Sequence, residues 1–167
     1  MKVALQTTVE RKHLANLIDG ISVAMLTTFD SHGALTSCPM SPLELCEQGA
    51  IWFLTNANSS KAQYLRVVNL SFSDESNGVY VSLSGYGEIV NDKAHVECLW
   101  TPFARPWFPD GAESNDLALL KFMPESAEYW DAQHSKMVHM FAMAASMIVK
   151  KPIGLGEHGS LTHLQQP

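Results

Sequence analysis

The stretch VYVSLSGYGEIV, residues 79–90, contains the pattern that decides the fold. From Val79 to Leu83 an apolar side chain occupies every second position, and hydroxyl-bearing side chains fill the positions between. This alternation is typical of a β-strand that buries one side and leaves the other facing water or a ligand. Gly85 and Gly87 then permit a bend or bulge before Glu88–Val90, as the closure of a β-barrel often requires.

Other segments on both sides of this stretch also have the features of short strands. Residues 30–33, Asp-Ser-His-Gly, form a turn signal between two strand-like runs and therefore predict a hairpin. The predicted strands are Ile21–Phe29, Ala34–Met40, Ala50–Thr55, a segment around Leu70 and Phe72, Leu117–Met123 and the shorter Ala127–Trp130. Short strands linked by tight turns favour an antiparallel barrel over a parallel sheet.

Four helices are predicted, mainly near the two ends of the chain and between strands. They cover Val9–Asp19 with Thr8 as the N-cap, Lys61 to about Val67, a segment reaching about Trp100 with Asp92 as the N-cap, and His134–Lys150. Residues from Gly154 onward carry Gly and His and are predicted to be a loose tail. The length of 167 residues suits one compact domain, and the fold class is mainly β, or α+β.

The composition excludes several classes of function. The formal net charge is −6 and no block of Lys or Arg is present, which argues against nucleic-acid and anionic-membrane binding. No signal peptide, membrane anchor or ligand spacing for a metal is recognised, and three scattered cysteines suggest a reduced cytoplasm. The fingerprints of Rossmann proteins, P-loop NTPases and α/β-hydrolases are missing from the sequence.

The best candidate for a binding site is the strand, turn and helix start at Trp52–Lys61. A helix N-terminus offers free N–H groups and partial positive charge, so a phosphate can bind there. Ser59 and Ser60 would add hydroxyl donors and Lys61 a full charge. The alternative is an ordinary N-cap at Asn58 or Ser59 with a solvated lysine.

Two further segments are candidates. In the loop Trp100–Gly111, aromatic rings could lie against a flat heterocycle with Arg105 at an anionic or carbonyl edge, or the prolines and aromatics could form a subunit contact. The strand Ala34–Met40 could line a pocket through Thr36–Met40, or it could be a plain strand with Pro39 at an edge.

The order of these segments resembles the pyridoxamine 5'-phosphate oxidase-like FMN-binding split-barrel superfamily, and within it the general stress protein 26-like branch. The resemblance covers about Val9 to Ala145 and rests on an ordered set of motifs. They are Met25–Gly33, Pro39-Met40, the Trp52-Phe53-x-Thr55 strand, Ser59-x-Lys61, Leu99-Trp100-x-Pro102, Trp107–Gly111, Leu119–Lys121 and Glu128–Asp131.

This resemblance implies a six-stranded antiparallel Greek-key split β-barrel with flanking helices, and a homodimer with FMN at its interface. It assigns residues 1–150 to the FMN-binding domain and 151–167 to a C-terminal tail. The implied cofactor-binding residues are Ser37, Cys38, Pro39, Met40, Trp52, Phe53, Leu54, Thr55, Ser59, Ser60, Lys61 and Trp107. Among these, the resemblance implies that Ser59, Ser60 and Lys61 bind the phosphate. It also implies that Trp107, donated by the partner subunit, forms an aromatic wall near the flavin ring.

The chain departs from the family pattern at two positions. Cys38 stands where members usually carry Arg before the Pro-Met step, and Gly85-Tyr86-Gly87 replaces a Gly-Arg-Ala step. A lost arginine removes a charge-assisted contact to the cofactor and leaves Lys61 as the main positive charge.

The implied function is that of a stress-related flavin-dependent oxidoreductase acting on an unknown small molecule, while pyridoxamine 5'-phosphate oxidase activity itself is not expected. The alternatives are a non-catalytic flavin carrier, sensor or store, and a cofactor-free dimeric interaction module.

Overall fold

The computed structural model describes residues 1–131 and 157–162, which form a curved, mostly antiparallel sheet with two α-helices. The strands are β1 (Lys2–Val3), β2 (Ala24–Phe29), β3 (Leu35–Met40), β4 (Glu44–Leu45), β5 (Ile51–Asn56), β6 (Val68–Asp74), β7 (Val79–Val90), β8 (Leu117–Asp131) and β9 (Glu157–Thr162). The helices are α1 (Val9–Ile18) and α2 (Lys93–Leu99), and single 3-10 turns lie at Ser60–Gln63, Pro102–Ala104 and Gly111–Glu113.

The strand order confirms the predicted fold class. Six long strands lie in the order β5-β8-β7-β6-β2-β3 and are all antiparallel to their neighbours. The two-residue strands β4 and β1 extend the β5 side, and β9 pairs with β8. Within the described residues, no helix is long and apolar enough to cross a lipid bilayer.

The predicted hairpin is confirmed between β2 and β3. The Asp30 carboxylate accepts hydrogen bonds from the backbone N–H groups of His32 at 2.8 Å and Ala34 at 2.9 Å. Gly33 has a φ of 77°, which a residue without a Cβ adopts at little cost. The turn therefore fixes the register that pairs Phe29 with Leu35 and Ala24 with Met40.

The predicted bend at Gly85 is confirmed as a register shift in the ladder between β7 and β8, immediately after Ser84. A Cβ atom built on Gly85 would lie 2.0 Å from the backbone oxygen of Met123, so only glycine fits here. Pro124 faces Gly85 across this irregularity, where a missing N–H donor is tolerated. The prediction of two separate strands at 117–123 and 127–130 is therefore wrong, and a single strand, β8, passes through.

Two further predictions need correction. The helix predicted from Lys61 to about Val67 is only a short 3-10 turn, because the chain leaves it at Tyr64 and the Leu65 carbonyl accepts a 2.7 Å hydrogen bond from Gly87 N–H on β7. The tail predicted to be loose forms β9 at residues 157–162, because its backbone completes hydrogen bonds along β8. The helix predicted at His134–Lys150 lies outside the described residues, and the boundary at 150/151 stays a prediction.

Two apolar clusters lie on opposite sides of the sheet. The larger one fills the inside of the curve, where Leu14, Leu17 and Ile18 of α1 pack against inward side chains such as Phe53 and Phe72. The smaller one lies on the outer side of β5 and β8, under Val96 and Leu99 of α2. Thr8 caps α1 by accepting from Arg11 N–H, and Asp92 caps α2 by accepting from His95 N–H.

Candidate functional site

The curvature of the sheet brings together two of the candidate segments. β3 and β5 are the outermost of the six long strands, yet Lys61, just after β5, reaches β3. Its ammonium nitrogen Nζ lies 3.3 Å from Met40 Sδ and 3.7 Å from Cys38 Sγ. The two ends of the long-stranded sheet thus meet at a lysine and two sulfur atoms. We call Thr55, Ser59, Lys61, Cys38 and Met40 the closure site.

The turn that carries Lys61 is held by its own hydrogen bonds. Asn56 Oδ1 accepts from Asn58 N–H at 2.7 Å, and the Asn56 carbonyl accepts from Ser59 N–H at 3.1 Å. Asp116 secures the other side, since its carboxylate accepts from Asn58 Nδ2 at 2.8 Å and its carbonyl from Ala57 N–H at 2.8 Å. These hydrogen bonds pre-organise the turn, which lowers the entropic cost of binding a ligand there.

Two hydroxyl groups on the strand and turn that lead to this lysine are buried without a partner. Within the described part of the chain, Thr55 Oγ1 and Ser59 Oγ have no hydrogen-bond partner, and the Thr55 residue is 2% exposed. A buried hydroxyl without a partner costs free energy, so such groups are usually satisfied by a ligand or a water molecule. Thr55 and Ser59 are therefore placed to donate to a polar group bound at the turn.

The positive charge of Lys61 is also available to a ligand. Among residues 1–131 and 157–162, no carboxylate lies within ion-pair distance of its ammonium group. The contacts with Met40 Sδ and Cys38 Sγ are to weak acceptors. A half-buried ammonium group whose partners are sulfur atoms is suited to binding an anion.

The predicted site residues of β5 divide between two faces of the sheet. Phe53 is fully enclosed in the inner core, so only its backbone is available to a ligand, whereas Thr55 faces the same interior at the end near the turn. Trp52 and Leu54 face outward and pack in the cluster beneath α2. Strand alternation separates Trp52 and Leu54 from Phe53 and Thr55, but both faces of this strand carry apolar residues, so the sequence did not show which face α2 would cover.

Trp52 lies in a group of charged and aromatic side chains that the sequence analysis missed. Its ring meets the His95 ring edge-on at 4.6 Å between centroids, and Lys121 Nζ lies 5.7 Å from the Trp52 centroid. Glu44 Oε2 lies 3.3 Å from His95 Nε2, and Glu88 pairs with Lys121 at 2.8 Å. No spacing signal links these residues, because strand pairing and the docking of α2 bring them together.

The remaining predicted residues are exposed on the surface. Ser37 faces outward, where its hydroxyl shares a 2.7 Å hydrogen bond with Thr27 Oγ1, and Pro39 is exposed on the same strand. Ser60 is exposed at the start of the 3-10 turn. Trp107 is 75% exposed in the loop after α2, and in the described residues no hydrogen bond or ring contact joins it to the closure site.

A separate polar cavity of about 390 Å³ lies where β2 begins and β6 ends, between residues 20–23 and 73–76. Hydrogen bonds from the Ser76 hydroxyl and from Asn77 lower the pKa of Asp74 in this turn. None of the predicted site residues lines this cavity. In the parts of the chain described, no cluster of His, Cys, Asp or Glu is arranged to hold a metal ion.

Comparisons with known proteins agree with the fold. The putative general stress protein 26 of Jannaschia sp. CCS1 has a similar structure, with a TM-score of 0.71, 26% identity, and coverage of 93% of this chain and 99% of that one. The general stress FMN/FAD binding protein of Xanthomonas citri matches with a TM-score of 0.63 and 26% identity over 77% of this chain and 93% of that one.

A curated relative and a family model extend the comparison. Protein bli-3 of Neurospora crassa is 26% identical over 152 residues, which cover 83% of this chain and 73% of that protein. The family model described as pyridoxamine 5'-phosphate oxidase like matches residues 9–153, a span that includes strands β2 to β8. The chain therefore belongs to the pyridoxamine 5'-phosphate oxidase-like family, in its general stress protein 26-like branch.

Proposed function

We propose that this protein binds FMN with the phosphate at the closure site and acts as a flavin-dependent oxidoreductase on a small molecule. The proposal rests on two buried hydroxyl groups without hydrogen-bond partners and on the charge of one lysine. Thr55 Oγ1 and Ser59 Oγ are buried without partners in the described residues, on the strand and turn that lead to a lysine without a carboxylate partner there. A phosphate monoester supplies the acceptor oxygens and the negative charge that these groups lack.

The chemical groups of these residues match those of FMN. Lys61 would neutralise the phosphate, while Thr55 and Ser59 would donate to its oxygens and the backbone of β5 would border the ribityl chain. The turn is short and offers one lysine, which suits a mononucleotide better than a dinucleotide. The similarity to the Xanthomonas citri FMN/FAD binding protein favours the same class of cofactor. When bound, the flavin ring would supply the redox chemistry, and the protein would hold and orient it.

Comparison of FMN with riboflavin tests the assignment of the phosphate, because the two ligands differ only by that group. Titration of the purified protein, followed by flavin fluorescence, should give a Kd about tenfold or more lower for FMN, since a charge-assisted contact contributes about 1.5–3 kcal/mol. Equal affinities would place the phosphate in solvent and contradict the proposal. Anaerobic bleaching of the bound flavin by NADH or NADPH then separates an oxidoreductase from a flavin carrier.

We also propose that two copies of the chain associate through the outer face, defined as the outward side chains of β3, β2, β6 and β7. Polar groups on this face already bond one another, as Thr27 does with Ser37 and Asn69 with Ser82. Burying them therefore leaves few unsatisfied donors. Exposed apolar side chains lie among them, namely Met25, Phe29, Leu35 and Tyr80, and such a mixture is typical of a subunit interface.

Exposed aromatic side chains in the loop after α2 fit this dimer. Phe103 is 87% exposed and Trp107 75% exposed, although large aromatic residues are usually at least partly covered. Three prolines, Pro102, Pro106 and Pro109, restrict the backbone of this loop and so reduce the entropy lost when it is covered. We propose that Trp107 covers the flavin ring bound by the partner subunit.

Leu35→Arg tests the dimer. Leu35 is 67% exposed, so the substitution should leave the subunit folded while placing an unpaired charge in the interface. Size-exclusion chromatography with light scattering should change from twice the chain mass of 18.4 kDa to a single chain mass. Leu5→Arg, at a position 83% exposed before α1, is the matched control and should remain dimeric. A wild-type monomer would contradict the dimer, and a dimeric Leu35→Arg variant would contradict this choice of face.

A further inference from the structure

We propose that peroxide oxidises the thiol of Cys38 and that this oxidation weakens binding of the cofactor phosphate at the closure site. The inference rests on the proposed function for its effect on flavin, while the oxidation site itself stands on the geometry of Cys38 and Lys61. Cys38 is half-buried on β3, and its Sγ lies 3.7 Å from Lys61 Nζ. The pair occupies the point where the two ends of the sheet meet.

The lysine distinguishes this cysteine from the other two. All three cysteines are free thiols, and Cys98 is the exposed one. In the described residues, Cys38 alone has a lysine ammonium group within hydrogen-bonding distance of its sulfur. A neighbouring cation stabilises the negative charge that sulfur carries as it attacks an oxidant. Reactivity toward peroxide should therefore follow the position of Lys61 rather than exposure.

The reaction with hydrogen peroxide balances without any other reagent. Cys38 sulfur attacks one peroxide oxygen, the O–O bond breaks, and the thiol proton leaves with the other oxygen as water. The sulfur is oxidised to a sulfenic acid and the peroxide is reduced. A second peroxide molecule converts the sulfenic acid into a sulfinic acid and releases a second water molecule.

Oxidation changes what Lys61 contacts. The unmodified sulfur is a weak hydrogen-bond acceptor, whereas each added oxygen is a strong one on an atom already 3.7 Å from the ammonium nitrogen. A sulfinate would also add a full negative charge there. The oxidised side chain therefore competes with the phosphate for Lys61, and Thr55 and Ser59 are left as the remaining donors of the closure site.

The test uses a Cys46→Ser/Cys98→Ser variant, in which Cys38 is the one remaining thiol. Hydrogen peroxide treatment of the flavin-free protein should raise the Kd for FMN about tenfold or more and leave riboflavin binding unchanged, because riboflavin lacks the phosphate. Dithiothreitol should restore FMN binding after brief treatment, since a sulfenic acid is reducible and a sulfinic acid is not. An oxidised protein with unchanged FMN affinity would overturn the regulatory effect.

A second readout does not depend on flavin. Dimedone, which traps sulfenic acids, should label Cys38 of the peroxide-treated variant, and Lys61→Ala in the same background should slow this labelling several-fold. Absence of label and of sulfinic acid at Cys38, or labelling at the same rate without Lys61, would overturn the inference. A protein that is labelled at Cys38 but binds no FMN before treatment contradicts the proposed function and leaves the oxidation site standing.

Discussion

Lys61→Ala is expected to raise the Kd for FMN by about tenfold to a hundredfold and to leave riboflavin binding unchanged. The lysine is the cation of the closure site, and loss of a charge-assisted hydrogen bond to a phosphate costs about 1.5–3 kcal/mol. Its closest polar neighbours are the sulfur atoms of Cys38 and Met40, so the substitution breaks no ion pair among the described residues. Flavin fluorescence titrations of both ligands provide the measurement.

Lys12→Ala is the matched control for this substitution. Lys12 is an exposed residue of α1, so the variant loses the same charge without touching the closure site. It should bind FMN as the wild type does. Equal FMN affinity in Lys61→Ala and the wild type would contradict the phosphate assignment, and an equal loss in both variants would indicate a general effect of net charge.

Gly85→Ala is expected to lower the free energy of unfolding by about 3 kcal/mol or more. The new Cβ atom would lie 2.0 Å from Met123 O, and that atom belongs to the backbone of β8, which cannot rotate away as a side chain would. The bulge would have to open, at a point where β7 and β8 form the longest ladder of the sheet. Urea denaturation followed by tryptophan fluorescence measures the change.

Gly87→Ala is the control for backbone effects, because it changes the same residue type two positions along the same strand. The nearest atom to its new Cβ would be Leu65 Cβ at 3.4 Å, which is an ordinary packing distance. We expect the free energy of unfolding to change by less than about 1 kcal/mol. Similar losses in both variants would mean that flexibility of the strand, rather than the approach of Met123, explains the need for glycine.

The sequence predicted features that depend on neighbouring residues. The Asp30–Gly33 turn, the caps Thr8 and Asp92, and the bend at Gly85 all follow from the chemistry of a few adjacent side chains. The fold class followed from the alternation of apolar residues and from the order of the motifs. The prediction of two strands at 117–123 and 127–130 failed, because Pro124 lies opposite the irregularity at Gly85 and the strand continues past it.

Only the tertiary structure decided how the candidate site is assembled. Asn58 and Asp116 are 58 positions apart, and their contact depends on the register in which β5 pairs with β8. Lys61 and Cys38 meet because the sheet curves until its outer long strands approach each other. Curvature and register are set by pairing between distant segments, whereas periodicity and turn signals act locally. The sequence by itself therefore determined the elements and the chemical type of the site, and non-local packing determined which side chains share it.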